Sequence, residues 1–134
     1  MLNVIDSSHW PLVHYVMPER VEDEVAGEHI AALNAILTRQ QPFVLIFSGV
    51  EQPKDSPQFM RLMRAWSVNT RAEQQRWCKG AVRVEPDAAK RRSLWRKALR
   101  YVQSRAAPYP YQVVASDEEA QRLAHRWLAG SDGQ

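Results

Sequence analysis

The most constraining feature of the sequence is an uninterrupted apolar run, Phe43-Val44-Leu45-Ile46-Phe47, bounded by Pro42 and by Ser48-Gly49. A strand with one face in water alternates apolar and polar residues, whereas a strand covered on both faces is apolar throughout. The run therefore predicts a central strand of a largely parallel sheet, covered on both faces. Parallel strands need crossover helices, so this run alone favours an α/β domain.

The spacing of apolar residues, and the proline, glycine and turn residues that interrupt it, predict the remaining helices and strands. Strands are expected at residues 2–5, 12–17, 81–85 and 111–115, and helices at residues 21–40, 57–76, 87–103 and 116–130. The order is β-β-α-β-α-β-α-β-α, with about five strands and four helices. Residues 2–5 and 12–17 form an antiparallel hairpin, so the sheet is mixed but mostly parallel. The chain of 134 residues suits one compact domain, residues 1–130, followed by a short C-terminal tail, residues 131–134.

Motifs for catalysis or cofactor binding are scarce. The five glycines stand apart, except for a pair in the tail, so the clustered glycines of a phosphate-binding loop are missing. The four histidines lack metal-ligand spacing, and the lone Cys78 permits no intramolecular disulfide. We therefore predict a non-enzymatic protein with no cofactor and no metal site.

Positive charge is concentrated in one segment. Residues 79–105 hold nine Lys or Arg and two Asp or Glu, although the whole chain carries only +3. At helical spacing the segment 87–103 divides into two halves. The apolar half comprises Leu94, Trp95, Ala98, Leu99, Tyr101 and Val102, and we predict that it packs on the sheet. The basic half comprises Lys90, Arg92, Arg96, Lys97 and Arg100.

The basic half has two interpretations. It is either an ordinary solvated surface or a docking face for an acidic protein, an anionic membrane or nucleic acid. No aromatic residue interleaves with these basic residues, which argues against stacking on exposed bases and disfavours nucleic acid.

The loop after the central strand also has two interpretations. Ser56 followed by Pro57 is favourable helix-start chemistry, with serine at the N-cap and proline in the first turn. Alternatively, Ser56 is a phosphorylation site, because a helix N-terminus stabilises a phosphate group. Both interpretations stay open.

The same loop carries a family resemblance. Residues 43–50 followed by Asp55-Ser56 resemble the strand–loop–helix signature of STAS domains, the sulfate-transporter and anti-sigma-factor-antagonist family. Pro57 and Gln58 replace the second serine and the glycine of the family's Asp-Ser-Ser-Gly motif. The opening and the ending of the chain are similar to stand-alone bacterial members of this group: Ser8-His9-Trp10-Pro11-Leu12-Val13, Pro108-Tyr109-Pro110, residues 114–120 and Trp127-Leu128.

The resemblance implies a STAS-like fold and regulation through protein–protein interaction. It also implies that Asp55 and Ser56 form a switch loop, contacted by a protein partner and phosphorylated at Ser56. We therefore expect a cytoplasmic regulatory module with a protein partner. The alternatives are a carrier or sensor of a small apolar or anionic ligand, and a basic-helix binder of nucleic acid or an anionic membrane surface. No apolar run approaches the roughly 20 residues of a membrane span, and the sequence leaves a homodimer open.

Overall fold

A computed structural model describes residues 4–103 and 108–132, with side chains for residues 4–100 and 108–130. Its five strands form one sheet in the order β1-β2-β3-β4-β5. The strands are β1 (Ile5–His9), β2 (Leu12–Met17), β3 (Phe43–Gly49), β4 (Cys78–Val84) and β5 (Tyr111–Val114). Strand β1 pairs antiparallel with β2, and every other pairing is parallel. The predicted mixed, mostly parallel sheet is therefore confirmed.

Five helices are described. They are α1 (Asp23–Thr38), α2 (Pro57–Asn69), α3 (Arg71–Trp77), α4 (Ala88–Gln103) and α5 (Asp117–Asp132). None of the helices in the described ranges combines the length and the apolarity that crossing a bilayer requires.

The helices cover the two faces of the sheet unequally. Crossovers between parallel strands are right-handed, and here each new parallel strand is added on the same side of the last. The connecting helices α1, α2, α3 and α4 therefore share one face, which we call the crossover face. Helix α5 covers the opposite face, where Leu12, Val44, Ile46 and Val82 form a buried cluster with its apolar side chains.

Two predicted helix starts are confirmed in atomic detail. The Asp87 carboxylate accepts hydrogen bonds from the backbone N–H groups of Ala89 and Lys90 at 2.9 and 3.0 Å. Ser116 Oγ accepts from the Glu119 N–H at 3.2 Å, and the Glu119 carboxylate accepts from the Ala115 N–H at 3.2 Å. Both arrangements satisfy amide groups that a helix start leaves unpaired.

The single helix predicted over residues 57–76 is wrong, because the chain breaks at Thr70. The Thr70 hydroxyl donates to the Trp66 carbonyl at 2.7 Å, an i−4 bond that competes with regular helix geometry. The Gln74 amide then donates to Thr70 Oγ1 at 3.0 Å, and Gln74 is buried. The polar second half therefore forms α3, which returns to the sheet instead of projecting into solvent and raises the helix count from four to five.

The first strand and the last helix also differ from their predicted bounds. Strand β1 covers Ile5–His9, and the turn falls at Trp10-Pro11. Of the predicted strand at residues 2–5, residues 2 and 3 lie outside the described part of the chain. Pro11 has no N–H to donate to a sheet ladder, which favours a turn there. Helix α5 continues past Gly130 to Asp132, two residues into the predicted tail.

Candidate functional site

A pocket of about 570 Å³ opens on the crossover face. Its floor is β3, where Leu45 and Phe47 are only half-buried. On the opposite face of the same strand, Val44 and Ile46 are buried beneath α5. The expectation that β3 is covered on both faces is therefore only partly met. The gap arises because α1 and α2 pack together on one side, while α4 packs on β5 at the sheet edge.

Apolar and aromatic side chains make up most of the pocket lining. Side chains two residues apart on a strand share a face, and neighbouring strands place them in rows. Tyr15 and Phe47 are register partners in such a row, and their ring centroids lie 5.4 Å apart. The Tyr111 ring of β5 reaches across β4 to within 6.4 Å of the Phe47 ring, centroid to centroid. Trp66 of α2 and Leu94 of α4 line the pocket from the two sides.

A buried guanidinium lies at the carboxyl end of this floor. Arg83 of β4 is 8% exposed, and its register partner on β3 is Phe47. Its Nη2 donates to the Gly49 carbonyl oxygen, whereas its Nε has no hydrogen-bond partner within the described residues. Ligands of open α/β sheets favour the carboxyl ends of strands, so Arg83 lies at the edge where recognition is expected.

Arg83 is not among the functional residues predicted from the sequence. A usable signal was present, because Arg83 follows Ala81-Val82 inside a strand that the alternation rule predicts. A charged side chain in an interior strand is rarely buried unless something pairs with it.

An ion pair spans the rim above Arg83. Lys97 Nζ of α4 lies 3.1 Å from the Glu51 carboxylate in the loop after β3, and both residues line the pocket. Both side chains are about half exposed, at 59% and 48%, so water screens the pair and its contribution to stability is small. The pair matters because it connects α4 to the β3–α2 loop at the pocket.

The other reactive groups near the pocket are held neutral. Burial raises the pKa of the Cys78 thiol to about 12, and the thiol lies 3.3 Å from the Gly80 carbonyl oxygen. Burial also raises the pKa of Tyr15 and lowers that of His29, whose Nε2 is hydrogen-bonded to the Tyr15 hydroxyl. His29 is fully buried against the Phe59 ring. The hydrogen bond between Tyr15 and His29 therefore joins β2 to α1 inside the core.

The predicted switch residues lie on the loop before α2. Ser56 is 3% exposed and occupies the N-cap position, but its hydroxyl caps no helix amide. The hydroxyl donates to the Lys54 carbonyl oxygen at 2.8 Å and accepts from the Val21 N–H at 2.8 Å. Asp55 is exposed and has a φ of 49°, in the left-handed region that Asp enters more readily than most residues. A phosphate on Ser56 would replace both buried hydrogen bonds, so the phosphorylation hypothesis, which stays a prediction, requires the loop to open.

The predicted basic face of α4 is exposed along its length, but the predicted apolar half is only partly correct. Lys90, Arg92, Arg96, Lys97 and Arg100 are all exposed. Leu94 and Ala98 are buried, whereas Trp95 and Leu99 are 38% and 42% exposed. Tyr101 and Val102 lie outside the described side chains.

The buried side of α4 includes Arg91, which is only partly exposed. The Arg91 guanidinium donates to the carbonyl oxygens of Glu85 and Pro86 at 3.0 Å each. A helix packed at a sheet edge buries only a narrow stripe of side chains, and Trp95 lies outside that stripe. It stands three residues after Arg92 and four after Arg91, which makes these arginines its neighbours on the helix surface. Nucleic acid was disfavoured because the basic face was expected to lack aromatic residues, and the exposed Trp95 removes that reason.

Three His, Cys, Asp or Glu side chains that could jointly hold a metal ion do not occur in the described part of the chain. Comparison of the chain with protein-family models, with curated proteins and with solved structures gives no match.

Proposed function

We propose that this protein binds a small, largely apolar molecule without covalent chemistry, as a carrier or sensor. The observation that carries the proposal is the pocket of about 570 Å³ on the crossover face. Small-molecule sites are mostly apolar concavities of roughly 300–1,000 Å³ with a few convergent polar groups. This pocket has that size and that character.

The position of the pocket supports a bound molecule over a packing defect. Protein interiors are close-packed, with few voids larger than a water molecule. Here the half-buried residues, Leu45 and Phe47, lie on the middle strand of the sheet, where covering apolar surface is worth about 25 cal/mol per Å². A molecule that lies on them supplies contact that the described helix side chains leave incomplete.

The protonation states of the lining groups support binding over catalysis. The Cys78 thiol and the Tyr15 hydroxyl are potential nucleophiles, and burial raises the pKa of both further above neutral pH. A neutral thiol is a poor nucleophile. The pocket is therefore better suited to holding a molecule than to attacking it.

A fluorescence titration tests this function. N-phenyl-1-naphthylamine is an uncharged dye whose emission rises in apolar surroundings, and we expect it to bind saturably, one molecule per chain. Ser67 and Val68 are adjacent exposed residues of α2, but only Ser67 lines the pocket. Ser67→Phe should weaken dye binding, and Val68→Phe should leave it unchanged. Non-saturable binding, or equal effects of the two variants, would refute the proposal.

The regulatory interaction module expected from the STAS resemblance is the second candidate. The supporting observation is the mixed surface of α4, where Trp95 and Leu99 are exposed among Arg92, Arg96 and Arg100. Interface centres are enriched in aromatic residues and arginine. Such a surface complements an acidic protein partner that presents an apolar patch.

Charge reversal tests the second candidate. The wild-type chain is used to capture a partner, and the association rate is then measured as a function of salt. Arg92→Glu/Arg96→Glu should slow association and weaken its salt dependence, whereas Arg61→Glu/Arg64→Glu on α2 should have little effect. Equal effects of both pairs would contradict docking through α4. Generic duplex DNA and phosphatidylserine vesicles, measured alongside, test the nucleic-acid and membrane alternatives.

A further inference from the structure

We propose that the molecule bound in the pocket is a monocarboxylate with an extended apolar body, and that its carboxylate pairs with Arg83. This inference rests on the proposed function, because it names the ligand class of the same pocket. It depends on the state of the Arg83 guanidinium, on the charges around it and on the shape of the floor.

The guanidinium of Arg83 is buried and incompletely paired. A guanidinium carries five N–H donors, and burying a charge without a counter-charge is costly. Here Nη2 donates to the Gly49 carbonyl oxygen, while Nε is buried with no partner within the described residues. The ion pairs identified among those residues do not include Arg83. Arg83 lines the pocket, and it therefore brings to it a positive charge and donor capacity that the described protein leaves unused.

A purely structural role explains only part of this geometry. The bond to Gly49 links the ends of β3 and β4, and one amide or hydroxyl donor would serve that purpose. It leaves the buried Nε and the full positive charge unexplained. A carboxylate accounts for both, because its two oxygens match the parallel donors of a guanidinium and its charge neutralises the cation.

The charges around the pocket favour a single negative charge on the ligand. The charged residues among its described lining are Arg83, Lys97 and Glu51, which together carry one positive charge. Lys97 and Glu51 already pair at the rim. A carboxylate brings the lining to neutrality, whereas a phosphate monoester would leave an excess negative charge beside Glu51.

The floor of the pocket favours an extended apolar body. From Arg83 the lining follows β3 back through Phe47 and Leu45 to Phe43, towards the amino end of the sheet. At about 3.3 Å per residue this stretch measures roughly 13 Å. Trp66 lines the same space from α2. A chain-like tail therefore lies along β3 while its carboxylate reaches the carboxyl end.

Three probes that differ only in their polar end test the inference. Decanoate, decan-1-ol and decylamine are titrated into the full chain near neutral pH by calorimetry. Decanoate should bind roughly ten- to a hundredfold more tightly than decan-1-ol, the range expected of a hydrogen bond to a charged group. Decylamine should bind more weakly than either, because its cation faces Arg83.

Two glutamine variants show which cation acts. Arg83→Gln keeps a donor for Gly49 but removes the charge, so the preference for decanoate over decan-1-ol should disappear. Arg96→Gln makes the same change in net charge on the outer surface of α4, and the preference should remain. If Arg83→Gln fails to fold, the comparison of the three probes on the wild-type chain still tests whether the pocket prefers a carboxylate.

The outcomes separate this inference from the proposed function. Equal affinities for decanoate and decan-1-ol would overturn the carboxylate assignment and leave an apolar pocket. Retention of the decanoate preference in a folded Arg83→Gln variant would also overturn it. If none of the three probes and no neutral dye binds, the proposed function falls and the inference falls with it.

Discussion

Replacing Gly80 by alanine should destabilise the protein, although alanine is ordinarily the better residue in a strand. Gly80 lies in β4 beneath the Trp127 indole of α5. A Cβ at position 80 would lie 2.4 Å from both Cε3 and Cζ3 of that indole. Carbon atoms in contact prefer about 3.5–4.0 Å. The indole or the strand must therefore move by roughly 1 Å or more.

The expected magnitude is the balance of two effects. Forcing an extra methyl group into a packed site typically costs about 1–3 kcal/mol. Removing a glycine from a strand interior returns about 0.5–1 kcal/mol, because glycine loses the most backbone freedom on folding. Trp127 packs against the buried cluster under α5, so the indole cannot swing freely into solvent. We expect a net loss of about 1–2 kcal/mol in the free energy of unfolding.

Urea unfolding followed by circular dichroism measures this loss. Gly27→Ala in α1 is the matched control, because a Cβ there would meet nothing within 4 Å. That variant should gain up to about 1 kcal/mol from helix propensity. In a Trp127→Leu background the cost of Gly80→Ala should vanish. If Gly80→Ala gains stability as Gly27→Ala does, or if its cost persists without the indole, the packing argument is incorrect.

Three further predictions concern the free energy of unfolding, measured by urea titration. Leu94→Ala should lose about 2–4 kcal/mol because it opens a cavity, whereas Leu99→Ala, at an exposed position, should lose less than about 1 kcal/mol. Equal losses would show that the buried side of α4 is assigned wrongly. Ser56→Ala should lose about 1–3 kcal/mol, because the buried Val21 N–H loses its acceptor, and an unchanged stability would show that the hydroxyl is dispensable. Burial lowers the pKa of His29, so the unfolded chain takes up the proton first and stability should fall as the pH drops below about 6.5; His29→Gln should flatten that dependence, and an identical pH profile would contradict the assignment.

Local chemistry explains why the elements of the fold could be predicted. The apolar run of β3 and the helix starts predicted near residues 87 and 116 depend on residues close together in sequence, and these predictions are confirmed. The break at Thr70 was missed, although it also has a local cause. Helical periodicity predicted one continuous helix, but the Thr70 hydroxyl shares the Trp66 carbonyl oxygen with the Thr70 N–H, and such an i−4 bond bends a helix.

The candidate site was less predictable because it depends on distances between elements. The pocket exists because α4 lies at the sheet edge and leaves Leu45 and Phe47 only half-buried, and no spacing within one helix reports that separation. The same limit explains the error at Leu99. Periodicity gives the direction of the apolar side of a helix, but the width of the buried stripe depends on what the helix packs against.

The unequal division of helices between the two faces bears on how the chain folds during synthesis. The crossover face is assembled progressively, since α1 to α4 each emerge from the ribosome between the strands that they connect. Of the described helices, only α5 covers the cluster of Leu12, Val44, Ile46 and Val82, and it is translated after all five strands. A nascent sheet that lacks α5 therefore exposes an apolar surface, the kind of intermediate that aggregates or recruits chaperones. The exposed apolar surface is buried when α5 packs against the sheet.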